Sequence, residues 1–129
     1  MSQLYNNYAQ KRLNGSVNWK TMSARLLLLD DTYVFDPTHV TYADLGSSVL
    51  RISDLILNKT AGDGVANSDP AVFTDPALQA GLAQYAVIWN PGGDYLLAYL
   101  DDLPGLPYDF GSLPAVAIPM DSEKGWFYR

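Results

Sequence analysis

Cysteine is absent from this chain, and histidine and glutamate occur once each. Without cysteine there are no disulfides and no thiolate metal sites. With Glu123 as the only glutamate, nearly every acid is an aspartate. Aspartate populates turns where glutamate supports helices, so the chain favours strands and loops. Charge is sparse as well, at 17% of residues, with eight Lys and Arg against 14 acids and a net charge of −6. That balance opposes general affinity for nucleic acid, which requires cations to displace counterions. It equally opposes adsorption to an anionic membrane. No apolar run approaches the roughly 20 residues of a membrane-spanning helix. The stretch from Met1 to Arg12 lacks the apolar core of a secretory signal, so synthesis in a cytoplasm is the expectation. There is no G-x-S-x-G, no P-loop and no G-x-G-x-x-G. No internal repeat, low-complexity segment or heptad run is present.

What the chain does have is apolar and aromatic bulk. Hydrophobic residues make up 48% and aromatics 12%, led by nine tyrosines. A length of 129 residues bounds it to one domain with a real core. The organising stretch runs from Ala83 to Asp101, where two apolar runs flank Asn90-Pro91-Gly92-Gly93. Tyr85, Val87 and Trp89 alternate with Ala86 and Ile88. On the return, Tyr95, Leu97 and Tyr99 oppose Leu96, Ala98 and Leu100. Period two means strands, and Pro and Gly between them mean a hairpin turn, Gly supplying positive φ. Apolar residues on both faces place this hairpin centrally, covered on two sides.

Elsewhere, Ser2 to Leu13 has helical spacing, with Leu4, Tyr5, Tyr8, Ala9 and Leu13 on one side. Ser2 is the expected N-cap, Lys11 and Arg12 suit the last turn, and Asn14-Gly15 the C-cap. Short strands are expected at Val17 to Trp19, Ala24 to Leu29, Val49 to Ile52, Asp54 to Leu57, Val72-Phe73, Ala115 to Ile118 and Gly125 to Tyr128. Asp36-Pro37-Thr38 reads as a turn, and Thr41 to Leu45 as one helical turn ended by Gly46. Residues 60–68 form a connection rich in Gly and Asp. The Pro-rich run after Asp101 cannot be a central strand. The fold class that follows is mainly β: an antiparallel β-sandwich or barrel-like fold of about eight short strands with one N-terminal helix.

Candidate chemistry is thin. Asp30-Asp31 and Asp101-Asp102 are the adjacent carboxylate pairs, but each follows a strand, where Asp belongs to turns. A glycosidase pair would need a set separation and one raised pKa. Asp63, Asn67 and Asp69 have a superficial likeness to a calcium loop without its spacing or terminal Glu. His39 has Asp36 and Thr38 nearby, yet sequence adjacency is not triad geometry. Catalytic residues, cofactor and metal are therefore all expected to be none. The aromatics fit core and intersubunit contact better than a carbohydrate-stacking platform.

The whole chain resembles a family of small tailed-bacteriophage virion proteins, found as head-decoration or minor structural components. The resemblance lies in ordered features. A helix ends at Leu13-Asn14-Gly15, with Val17-Asn18-Trp19 just beyond. Ala24 to Leu29 precedes Tyr33 and the Asp36-Pro37-Thr38-His39 turn. Tyr42 to Leu45, Gly64 to Asp69, Leu97 to Asp101, Gly105-Leu106-Pro107 and Trp126 to Tyr128 complete the set. The short hairpin turn and Ile118-Pro119-Met120 depart from the pattern. The resemblance supplies no catalytic residues. It implies a virion structural protein. A capsid decoration or cement protein, on the outside of the head, is the leading expectation. A tail, neck or fibre component, or a carbohydrate-binding module on the particle, are the alternatives. Expected partners are the major capsid protein or other virion proteins and further copies of the chain, a trimer being the guess; nucleic acid and membrane are not. The expected contact residues are Leu4, Tyr5, Tyr8, Leu103, Leu106, Tyr108, Phe110, Trp126, Phe127 and Tyr128.

Overall fold

A computed structural model describes residues 2–60, 66–74, 78, 81–101, 106, 116–118 and 126. The elements run β1 (Ser2–Leu4), α1 (Asn6–Leu13), β2 (Arg25–Leu29), a 3₁₀ turn (Tyr42–Leu45), β3 (Val49–Ile52), β4 (Ala71–Phe73), β5 (Tyr85–Asn90), β6 (Tyr95–Leu100) and β7 (Val116–Ile118). Five strands form one sheet in the order β1-β6-β5-β2-β3, and β4 pairs with β7 in a second, two-stranded sheet. Every pairing is antiparallel. The fold is mainly β, with seven short strands and one helix among the described residues. The larger sheet ends at β1 and β3 and does not close into a barrel.

The expected hairpin is β5–β6, and β5 is the middle strand. Both faces of the sheet are buried, which is why β2 and β6 read as nearly continuous apolar runs. On the first face, Leu26, Leu28, Ala86, Ile88, Leu97 and Ala98 pack beneath Tyr8 of α1, Phe73 of β4, Ile118 of β7 and Trp126. On the second, Leu27, Leu29, Val87, Leu96 and Tyr99 lie beneath Tyr33, Phe35, Tyr42 and Leu45. These last four come from the irregular segment 30–48, which acts as a flap over that face.

Simple alternation fails within β6. Ile88 faces Ala98 but Trp89 faces Leu96, so Leu97 is an extra residue. The bulge puts Leu97 and Ala98 on the same face. Tyr95 thereby joins the first face with Leu100, and Leu96 joins Tyr99 on the second. The hairpin turn differs too. Positive φ falls on Asp94 (φ 51), not on Gly92 or Gly93. Gly93 is required by space instead: a Cβ there would lie 2.8 Å from the Tyr95 ring.

The N-terminus corrects the expected helix from Ser2 to Leu13. Ser2–Leu4 is an edge strand on β6, and the Tyr5 amide continues the ladder by donating to the Leu97 carbonyl at 3.1 Å. Leu4 packs toward the first face and Tyr5 is buried on the second, which is period two and not a helical stripe. Tyr5, not Ser2, is the N-cap residue, and it makes no side-chain cap bond. The other end matches expectation. Lys11 and Arg12 occupy the last turn, and the Ser16 and Gly15 amides donate to the Lys11 and Arg12 carbonyls. Gly15 at φ 70 supplies the left-handed residue this closure needs.

Val17 to Trp19 and Asp54 to Leu57 are not strands. Trp19 is buried and anchored by its indole N–H on the Asn67 carbonyl. Asp54 and Ile56 bond singly to Val72 and Ala24 without forming a ladder. The expected turn at Asp36 is present, closed by the His39 amide on the Asp36 carbonyl. The helical turn at Tyr42 is present too, with a Thr41–Asp44 capping box and Gly46 at its end. The strand expected at Gly125 to Tyr128 lies outside the described residues except for Trp126.

Candidate interaction surface

Helix α1 lies over the first face on a single buried side chain, Tyr8, stacked on Tyr95 with ring centroids 6.3 Å apart. At about 100° per residue, Leu13 points roughly 140° away from Tyr8. Leu13 is accordingly 89% exposed, the most exposed large apolar side chain among the described residues. Leu4, Ala9, Arg12 and Leu13 line a shallow, predominantly apolar groove beside it. Cations flank the groove: Lys11 Nζ sits 5.0 Å above the Tyr95 ring, and the Arg12 guanidinium 5.5 Å from the Tyr8 ring. The charged groups thus sit over the faces of this chain's own aromatic rings in cation–π contact.

The flap on the second face is held by polar bonds. The Tyr5 and Tyr33 hydroxyls are 2.7 Å apart, and the Tyr33 hydroxyl is 3.0 Å from His39 Nδ1. Burial, and after it the Tyr33 hydroxyl, push the Tyr5 phenol far above its ordinary range. His39 Nε2 lies 3.9 Å from Asp36. The Asp36 carboxylate accepts from the Thr38 hydroxyl and amide, which hold its pKa below the usual range. Asp44 is lowered in the same way by the Val40 and Thr41 amides. The Asn6 amide donates to the Pro37 carbonyl, the Leu96 amide to the Val40 carbonyl, and the Tyr42 amide to Asp94. Asp94 also accepts from the Trp89 indole at 3.0 Å.

This arrangement does not line up the expected neighbours His39, Asp36 and Thr38 as nucleophile, base and acid. The Thr38 hydroxyl donates to the carboxylate, and the imidazole is bonded to Tyr33. Asp30 accepts from the Thr32 amide and hydroxyl, which is a turn bond. Asp31 and Asp101 are exposed, and Asp102 and Asp63 lie outside the described residues. Asp69 accepts from the Asn58 amide. No group of three or more His, Cys, Asp or Glu residues placed to hold a metal occurs among the described residues.

Of the expected contact residues, Leu4 lines the groove. Tyr5, Tyr8 and Trp126 are corrected: they are 0%, 2% and 2% exposed, so their rings belong to this chain's own core and offer a neighbour nothing. The Trp126 indole donates to Ser68 Oγ at 2.7 Å. Leu106 packs partly buried against the first-face core. Leu103, Tyr108, Phe110, Phe127 and Tyr128 lie outside the described residues. Leu13 and Val34, the latter 80% exposed, are the surface residues that sequence reasoning missed. One signal pointed to them: no acid precedes Asp30 in the chain, and no Lys or Arg occurs from Asp30 to Leu50. Compared with known family models, curated proteins and solved structures, the chain matches none.

Proposed function

We propose that this is a structural protein of a tailed-phage virion, acting as a decoration or cement protein on the outside of the head. The observation that carries the reading is the Leu4–Ala9–Arg12–Leu13 groove. It is apolar, solvent-facing, and formed by an edge strand and a helix whose own packing needs are met elsewhere. A second line of support is where the polar chemistry goes. The Tyr5–Tyr33–His39 chain and the Asp36, Asp44 and Asp94 carboxylates bind the fold to itself. The acidic balance suits an exterior position, away from packaged nucleic acid.

Mechanism on this reading is mass action. A protein that binds the assembled shell better than its dissociated subunits shifts assembly toward the shell. At a free concentration about 100 times Kd, each bound copy adds about 2.7 kcal/mol. The test is add-back. Heads produced without this protein should open at a lower temperature than complete heads, and the purified protein should restore the difference in a saturable way. Restoration by wild type but not by Leu13→Asp fits the proposal. An unchanged opening temperature, with the protein recovered on isolated tails, overturns it in favour of a tail or neck component.

A further inference from the structure

Helix α1 and the flap carry charge of opposite sign, although Asp54 and Asp69 lie beside β4 on the first-face side. All 14 acids lie at or after Asp30, whereas four of the eight cations precede it. The fold turns that sequence asymmetry into a spatial one. Helix α1, with Lys11 and Arg12 and no acid, covers the first face of the five-stranded sheet. The flap, with Asp30, Asp31, Asp36 and Asp44 and no Lys or Arg, covers the second. Asp94 joins the flap through the Tyr42 amide. Each surface also carries one large apolar side chain standing in solvent: Leu13 at 89% on the basic side and Val34 at 80% on the acidic side. These are the two most exposed large apolar residues among those described.

We infer that copies of this chain associate head to tail, the Lys11–Arg12–Leu13 end of α1 on one copy seating against the Val34 flap of the next. The occupant is argued from complementarity. A basic surface with a projecting Leu matches an acidic surface with a projecting Val, and the same chain supplies both. Complementary charge sets the orientation and the encounter rate, and the apolar pair gives the contact a centre from which water is excluded. The contact is heterologous, since it pairs the helix end of one copy with the flap of the next. Each copy therefore keeps an unsatisfied surface until a ring closes or a stack continues. The net charge of −6 on every copy opposes close approach, so the contact depends on the local segregation and weakens as salt screens it. The contact uses the same Leu13 end of α1 that the proposed function gives to the shell, so the two compete for it, and association of the purified chain without heads tests this contact alone.

Sedimentation of the purified chain tests it with two variants. K11E/R12E makes the basic surface acidic, and D31K/V34K removes one of the flap's acids and its projecting valine and adds two cations, cancelling most of its negative charge. All four positions are solvent-accessible, and a thermal melt of each variant checks that it folds. Leu13→Glu and Val34→Lys replace either variant should it not. Wild type is expected as a trimer or larger species at low salt, with association at least about tenfold weaker at high salt. Each variant alone is expected to be a monomer. An equimolar mixture is expected to form a one-to-one heterodimer, because one variant retains the flap and the other the helix end. A wild type that is monomeric, or never larger than a dimer, overturns the inference. So do variants that associate as wild type does, or a mixture that remains monomeric.

Discussion

At the scale of single residues, the tyrosine chain has a direction. Tyr5 is fully buried, and its hydroxyl has only Tyr33 as partner among the described residues. If Tyr33 donated to Tyr5, the Tyr5 proton would lack an acceptor. Tyr5 therefore donates to Tyr33, whose own hydroxyl lies within hydrogen-bond reach of His39 Nδ1. Tyr33→Phe strands the buried Tyr5 proton and should cost about 1–3 kcal/mol in urea unfolding. Tyr5→Phe leaves the Tyr33 donor satisfied and should cost less, about 0.5–1.5 kcal/mol. Equal costs would contradict this direction. The same burial shapes the alkaline limb. Tyr8 and Tyr99 are pushed up to about 12, chiefly by burial, and Tyr5 further. Above about pH 10 the unfolded chain releases these protons while the folded chain keeps them. Stability is then full below pH 10 and falls as pH rises toward 12. Tyr8→Phe should flatten that fall in a pH series of thermal melts. Asp36 and Asp44 run the opposite way. Their folded pKa values are depressed, so their contribution is present above about pH 4 and lost on acidification through the folded values.

Among the elements, legibility in the sequence followed periodicity. Strands β2, β5 and β6 could be read because both faces of the sheet are buried and the apolar runs have strand length. The 3₁₀ turn at Tyr42 and the C-terminal closure of α1 were legible through the glycines that end them, Gly46 and Gly15, both at positive φ. The start of α1 was not. Leu4, Tyr5 and Tyr8 fit helical spacing, yet Leu4 and Tyr5 serve opposite faces, and only the pairing with β6 reveals that. The β6 bulge was equally hidden, because in an all-apolar run a two-residue step on one face looks the same as alternation. It is testable. Leu97→Ala should cost the about 2–5 kcal/mol of a buried leucine truncation. Deleting Leu97 should cost no more than the truncation plus the local repair, because without the extra residue Tyr95, Leu96 and Ala98 alternate on the faces and opposite the partners they already have. A deletion that unfolds the chain while Leu97→Ala does not would mean Leu97 is not the extra residue. Gly15→Ala should cost about 1–2 kcal/mol, and Gly15→Asn less.

For the molecule as a whole, the candidate surface was read only in part. Aromatic content suggested contact residues, but Tyr5, Tyr8 and Trp126 went into the core because strands with two buried faces need bulky side chains on both. Surface character instead lies in Leu13, where helix geometry turns an apolar residue outward, and in the separation of charge between α1 and the flap. On the proposed reading, the protein acts by covering and joining neighbours. The most direct measurement of that claim is the copy number of this chain in purified particles, by quantitative mass spectrometry of separated heads and tails. The account predicts that it fractionates with heads, at a copy number of the same order as the major shell subunit. Its absence from intact particles would contradict the account.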